Sequence, residues 1–251
     1  MKKFLTSLFG VLLVLGVICG GASAPDGIIA LKGKTVNING AVKADFDEKA
    51  IVEGELFYVY DCIATETVTH TTYGIKTGTD ETNFYLVESY NKQMFTDGFE
   101  DYTPLTLIYA TADKDQIKKL DAMADAWYEF ESKYQDWYSD EEAGDDEMPE
   151  FPTEALSISG KITDYDDSDL FKYRDEYIES MGYTGDELDE YLDTYCVDMI
   201  IDDSDPSTAK ITFLAGIGVA VIGLVGLILT LVMGKKKKNN DDIETNNEVN
   251  M

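Results

Sequence analysis

The chain has 251 residues, with 20 Lys and Arg against 49 Asp and Glu and a net charge of −29. The imbalance is concentrated between residues 25 and 209, where 13 basic residues face 45 acidic ones, a net of −32. A surface this acidic repels phosphate backbones, which excludes nucleic acid as a partner, and it attracts cations only in the diffuse way of counterions.

The chain opens on Lys2 and Lys3, followed by an apolar run from Phe4 to Cys19 and the small residues Ala22-Ser23-Ala24. Residues 1–24 fit a secretory signal with a small-x-small cleavage site. They also fit a retained signal anchor. Phe4–Ala24 is 21 residues without a charge, long enough to span a bilayer, and Pro25 just after the site hinders cleavage. Both readings stay open, with the anchor slightly favoured. A lipoprotein reading fails, because Ile18 is bulky where the residue before a lipidated Cys19 must be small.

Residues 25–209 read as one extracytoplasmic α+β domain, antiparallel-rich, with one long and two short helices. Ile28 to Ala44 has the look of short extended pieces punctuated by Gly33 and Gly40. Ile51–Thr72 is rich in β-branched and aromatic residues, with Leu56, Tyr58 and Tyr60 alternating against Phe57, Val59 and Asp61. Gly74, Gly78 and Asp80 mark a turn, and Asn83–Tyr90 returns as a second strand. Pro104 opens another over Leu105–Ala110. Asp113 then starts the best helix of the region. Ile117, Leu120, Met123 or Ala124, Trp127, Phe130, Tyr134 and Trp137 recur every three or four positions, which predicts a helix to Tyr138. Its aromatic stripe fits packing on a sheet better than a platform for carbohydrate.

Ser139–Pro152 is an acidic break with two prolines. Leu156–Thr163 alternates as a strand. Ser168 or Asp169 caps a helix that ends before Gly182, and Thr184 with Glu187 forms a capping box for a helix over Gly185–Tyr195. Val197–Ile201 is the last strand. The segment 211–233 is 23 residues without a charge, spanning about 35 Å as a helix against a hydrocarbon core of roughly 30 Å. It reads as a transmembrane helix. Lys235, Lys236, Lys237 and Lys238 follow it, and together with Lys2 and Lys3 they predict both chain ends in the cytoplasm. Residues 234–251 form a basic, then polar tail expected to lack structure.

The runs ALKGKTVNI, ELFYVYDCIATET and SISGKITDYDD, with a last strand leading directly into a C-terminal span, resemble a family of membrane proteins. Its members belong to Gram-positive, largely gut-dwelling bacteria and hold an outer domain between hydrophobic ends. The resemblance implies a host and a topology, and it carries no activity.

Candidate chemistry is sparse. Asp164, Asp166, Asp169 and Asp175 have the rough spacing of a calcium loop, but Asp replaces both the turn glycine and the bidentate glutamate, so a solvated turn and helix cap fit better. Ca²⁺ is the only cofactor these residues suggest. Asp202-Asp203-Ser204-Asp205 is a similar weak cation candidate. Cys62 and Cys196 either close a long loop as a disulfide, worth about 3–5 kcal/mol, or stay as two buried free thiols. His70 is the only histidine, which excludes a His-based zinc site, and no flanking signature supports it as a base for either thiol. Acid pairs for glycoside hydrolysis are uninformative among 45 acids. In the span, Gly216 and Ala220 permit close contact with the N-terminal span or with a second copy. Neither apolar segment holds a charge, which argues against an ion pathway. The expected function is a membrane-anchored protein of the bacterial surface acting in binding, assembly or envelope structure, with the lipid bilayer as its first partner. The alternatives are an envelope hydrolase using carboxylates or a divalent cation, and a docking subunit of a transporter or secretion system.

Overall fold

Seven strands and six helices form from these patterns in the computed structural model, which describes residues 2–46, 50–72, 75–90, 104–139, 148–163, 168–204 and 206–248. In chain order they are α1 (Lys2–Ala22), α2 (Ala24–Lys32), β1 (Thr35–Asn37), β2 (Ile51–Leu56), β3 (Tyr58–Thr72), β4 (Ile75–Glu88), β5 (Thr106–Thr111), α3 (Lys114–Ser139), β6 (Leu156–Thr163), α4 (Ser168–Ser180), α5 (Asp186–Tyr195), β7 (Cys196–Asp202) and α6 (Pro206–Glu248). The chain divides into two compact units, Gly33–Asp205 and a second made from both ends, Met1–Lys32 with Pro206–Met251.

Gly33–Asp205 is built on one seven-stranded sheet, ordered β1-β2-β6-β7-β5-β4-β3. Four neighbouring pairs are antiparallel, and β1–β2 and β5–β7 are parallel. The sheet is therefore mixed, and the two parallel pairings depart from the antiparallel-rich expectation. The alternation of β6 becomes a strict inside–outside pattern, with Leu156, Ile158, Gly160 and Ile162 turned in. β5 is buried at all six positions, as a strand covered on both faces must be. On one face Val52, Val59, Tyr85, Val87, Leu107 and Ile201 pack with Leu120, Met123 and Ala124 of α3. On the other, Phe84, Leu86, Ile108 and Ile200 pack with Leu170 and Ile178 of α4 and Leu188 and Leu192 of α5.

α3 follows the predicted stripe. The Asp113 carboxylate accepts from the backbone N–H groups of Asp115 and Gln116 at 2.8 and 2.9 Å, capping its first turn. Trp127 donates its indole N–H to Phe57 O at 2.7 Å and packs with Phe130 and Phe57. The capping box expected at Thr184 does not form. Gly185 is the N-cap of α5, without a side-chain hydrogen bond and at φ 58°, a left-handed backbone that glycine adopts without strain.

In the other unit α1 packs against α6 through small residues. A Cβ on Gly16 would lie 2.3 Å from the backbone N of Ala220, and one on Gly216 would lie 2.4 Å from that of Gly20. Farther along, Gly223 meets Leu13 and Gly226 meets Phe9, so the two helices run antiparallel. Ile28–Leu31, expected to be extended, are helical instead, in α2. Pro25 fits its first turn and Asp26 and Lys32 suit its two ends. Gly27 of α2 lies against Phe213, where a Cβ would come within 2.4 Å of the phenylalanine Cβ and 2.7 Å of its ring. The polar tail also departs from expectation, because α6 continues through it to Glu248.

Candidate functional site

The most perturbed carboxyl in the described residues is Glu88, the last residue of β4. It follows Phe84 and Leu86 on the face that packs under α4 and α5, so strand alternation carries it inward to 5 % exposure. Three tyrosines hold it. Tyr60 donates its hydroxyl to Glu88 Oε1, Tyr191 of α5 donates to the same oxygen at 3.4 Å, and Tyr90 also hydrogen-bonds to it. Tyr191 in turn lies 3.0 Å from Thr106 Oγ1 on β5.

The position of Tyr60 comes from an irregularity in β3. Val59 pairs with Val87 and Asp61 with Leu86, which leaves Tyr60 as a bulged residue with no partner of its own. Its ring then stands 4.7 Å from that of Tyr58 and 6.1 Å from that of Tyr177 on α4. Tyr58 donates to Glu131 on α3. The group thus joins residues from α3, β3, β4, β5, α4 and α5.

Burial dominates the electrostatics. It raises Glu88 to about 7, against the three tyrosine hydrogen bonds, which pull the other way. Burial likewise pushes the Tyr60 and Tyr191 hydroxyls above the ordinary tyrosine range, and the nearby Glu88 charge adds to both. Glu88 therefore exchanges a proton near neutrality, inside the packing of α5 on the sheet.

A second group of acids lies where parallel strands β5 and β7 end. Glu66, Asp202 and Asp203 line a cleft of about 190 Å³ whose apolar wall is Phe84, Ala110 and Ile200. Asp203 accepts from the Thr111 hydroxyl, and its backbone N–H donates to Ala110 O at 3.1 Å. Burial raises the Asp203 carboxyl, with the neighbouring Asp202 and Asp113 charges adding to it. Asp202 Oδ2 lies 4.0 Å from Lys161 Nζ.

No protein-family model matches the chain, and no curated protein matches it.

The residues singled out in the sequence fall far from a common site. Asp164 and Asp166 lie outside the described residues. Asp169 sits in the first turn of α4, and Asp175 accepts from Arg174 Nε at 2.8 Å. No group of three or more metal-binding side chains occurs among the described residues. Cys62 and Cys196 are both free thiols. They pack on opposite faces of the sheet, Cys62 against the α3 side and Cys196 in the α4–α5 side. The bridge considered from the sequence is thus absent, because the sheet separates its partners. Burial pushes the Cys196 thiol up to about 11, despite the nearby Arg174. His70 pairs with Asp80 at 2.7 Å on an exposed stretch of β3, remote in register from Cys62. Asp202 and Asp203 do line a cleft, together with Glu66, which the sequence did not connect to them. Lys2 and Lys3 open α1, and Lys235 to Lys238 continue α6. Gly216 and Ala220 meet Gly20 and Gly16 of α1.

Proposed function

We propose that this chain is a membrane-anchored protein of the bacterial surface, whose sheet domain acts in binding or assembly outside the cell. The observation that carries the reading is the antiparallel packing of α1 on α6 through Gly16, Gly20, Gly216 and Ala220. Phe4–Ala22 and Ser207–Val232 are each long and apolar enough to cross a membrane. Small residues at i and i+4 are how two such helices approach closely in lipid, where no hydrophobic force drives them together. An antiparallel pair leaves both chain ends on one side, and the lysines at those ends favour the cytoplasm. The whole of Gly33–Asp205 then emerges on the other side. The fit of the α6 glycines to α1 supports retention of α1 as an anchor, since cleavage after Ala24 removes that helix. The resemblance to membrane proteins of Gram-positive bacteria points to the same topology.

Protease added to intact protoplasts tests this. Digestion of residues 33–205, with α1 and α6 left as protected fragments and Met1 at the mature N-terminus, is the expected result. Full protection of the sheet domain overturns the topology, and a mature N-terminus at Pro25 overturns the anchor.

The hydrolase reading has one observation in its favour, the raised Asp203 beside Asp202 and Glu66. The size of that cleft weighs against a substrate site there. About 190 Å³ falls short of the roughly 300–1,000 Å³ of ordinary ligand pockets. The strongly raised acid, Glu88, is buried away from any substrate.

A further inference from the structure

β3 ends the sheet, so its outer edge has no neighbouring strand among the described residues. The edge is long. From Thr65 to Thr71 β3 pairs only with β4, and every residue of that stretch is exposed. Natural sheets protect such an edge with lysine, proline, bulges or a covering element. The bulges of β3 lie earlier, at Tyr60 and Ile63, and the irregularity near the tip falls between His70 and Thr71, opposite β4 residues 76–78. Between Thr65 and His70 the register is unbroken. The segment contains neither lysine nor proline and only one acid, in a chain of net charge −29.

The sequence of this edge is nearly a palindrome, Thr65-Glu66-Thr67-Val68-Thr69-His70-Thr71. An antiparallel pairing with its own copy, centred on Val68, places threonine opposite threonine at all four positions, valine opposite valine, and Glu66 opposite His70. Threonine pairs directly across antiparallel strands are stabilising. A two-fold axis through Val68 makes the contact closed and self-complementary. Glu66, Val68 and His70 share one face and the threonines share the other, so each matched pair also lies on a matched face.

We propose that the Thr65–Thr71 edge of β3 pairs with the same edge of a second copy, in the register that sets Val68 against Val68. The contact joins the two sheets into one through main-chain hydrogen bonds, with the four threonine pairs and the central valine pair fixing the register. It buries a stretch with a single acid in a chain of net charge −29, so added salt strengthens it by screening the repulsion between the rest of the two copies.

Cross-linking tests the register. The full-length chain in detergent micelles carries Cys19→Ala and Cys62→Ala, leaving only the buried Cys196, and a single cysteine is placed at 67, 68 or 69. Residues directly opposite in antiparallel strands have Cα atoms about 4.5–5.5 Å apart, within disulfide reach, while positions two residues out of step are about 8 Å apart and beyond it. Val68→Cys should therefore form a covalent dimer under mild oxidation. Thr67→Cys and Thr69→Cys should each fail alone and cross-link when mixed. Val68→Lys should abolish the dimer while leaving the circular dichroism and thermal unfolding of the chain unchanged at concentrations where the parent is also monomeric. A monomer that Val68→Cys fails to bridge overturns the proposal. So does a dimer that cross-links in any other register, or a Val68→Cys chain that bridges to a different protein in cells.

Discussion

Replacing Glu88 with glutamine removes a charge that the fold resists. In the unfolded chain this carboxyl titrates near 4.5, and in the fold near 7. The neutral form is thus the one the folded state prefers. Its contribution to stability is complete below pH 4.5, declines as pH rises through 7 and is gone above that. The interval is about 2.5 pH units at ~1.4 kcal/mol each, so ionisation of Glu88 costs the fold about 3 kcal/mol at pH 8. Glutamine keeps an acceptor oxygen for Tyr60 and carries no charge at any pH. The Glu88→Gln chain should match the parent at pH 4.5 and exceed it by about 3 kcal/mol at pH 8, a rise of roughly 6–12 °C in Tm for a domain of this size. The assay is thermal unfolding of both full-length chains in detergent, followed by tryptophan fluorescence, at half-unit steps from pH 4.5 to 8. Taking the difference between the chains cancels the other titrating groups. A difference that stays constant with pH refutes the buried titrating carboxyl. A parent more stable than the variant at pH 8 shows that the three tyrosines hold the carboxylate better than water does.

Three further outcomes follow from the packing. Gly216→Leu should lower the thermal resistance of the detergent-solubilised chain, because its side chain meets the backbone of Gly20, whereas Gly218→Leu should not, because a Cβ there meets nothing within 4 Å. Arg174→Ala should cost about 1–3 kcal/mol in denaturant unfolding. The guanidinium is buried under Phe171 and bonded to Asp175 and Asp198, but both carboxylates keep enough water to be left alone at moderate cost. Alkylation of the native chain followed by mass spectrometry should label Cys62 well before Cys196, which is fully buried with its thiol pushed up to about 11. Unfolding a separate, unlabelled sample without reductant should expose three free thiols and no bridge.

Periodicity made much of the sheet domain legible. The stripe Leu120, Met123, Ala124, Trp127 and Phe130 is buried in α3, and Leu156–Thr163 keeps its alternation in β6. What stayed hidden depends on partners distant in sequence. Nothing local in Thr106–Thr111 or Cys196–Asp202 reveals that these strands lie side by side and parallel. Ile28–Leu31 are apolar without a helical stripe long enough to detect, and their helix is seen only with Phe213 against Gly27. The cap at Thr184 lost to Gly185, whose φ of 58° few other residues adopt. The site had a signal that the sequence reading missed. Glu88 has the same parity as Phe84 and Leu86, so the alternation that identifies the strand also points its carboxyl inward. The bulge that turns Tyr60 toward it left no mark beyond the density of tyrosines.

The strand order has a consequence for how the chain is made. β7 lies between β6 and β5, and it alone joins the half-sheet β1-β2-β6 to the half-sheet β5-β4-β3. It is also the last of the described strands in chain order, ending at Asp202, four residues before α6 begins. Until it arrives, a nascent chain holds two separate half-sheets with raw inner edges at β6 and β5, open to proteases and to wrong partners. Closure of the domain and emergence of α6 are therefore nearly simultaneous. A chain that stops short of residue 196 forfeits the bond between its two halves, and quality control meets it as two fragments rather than as a slightly shortened domain.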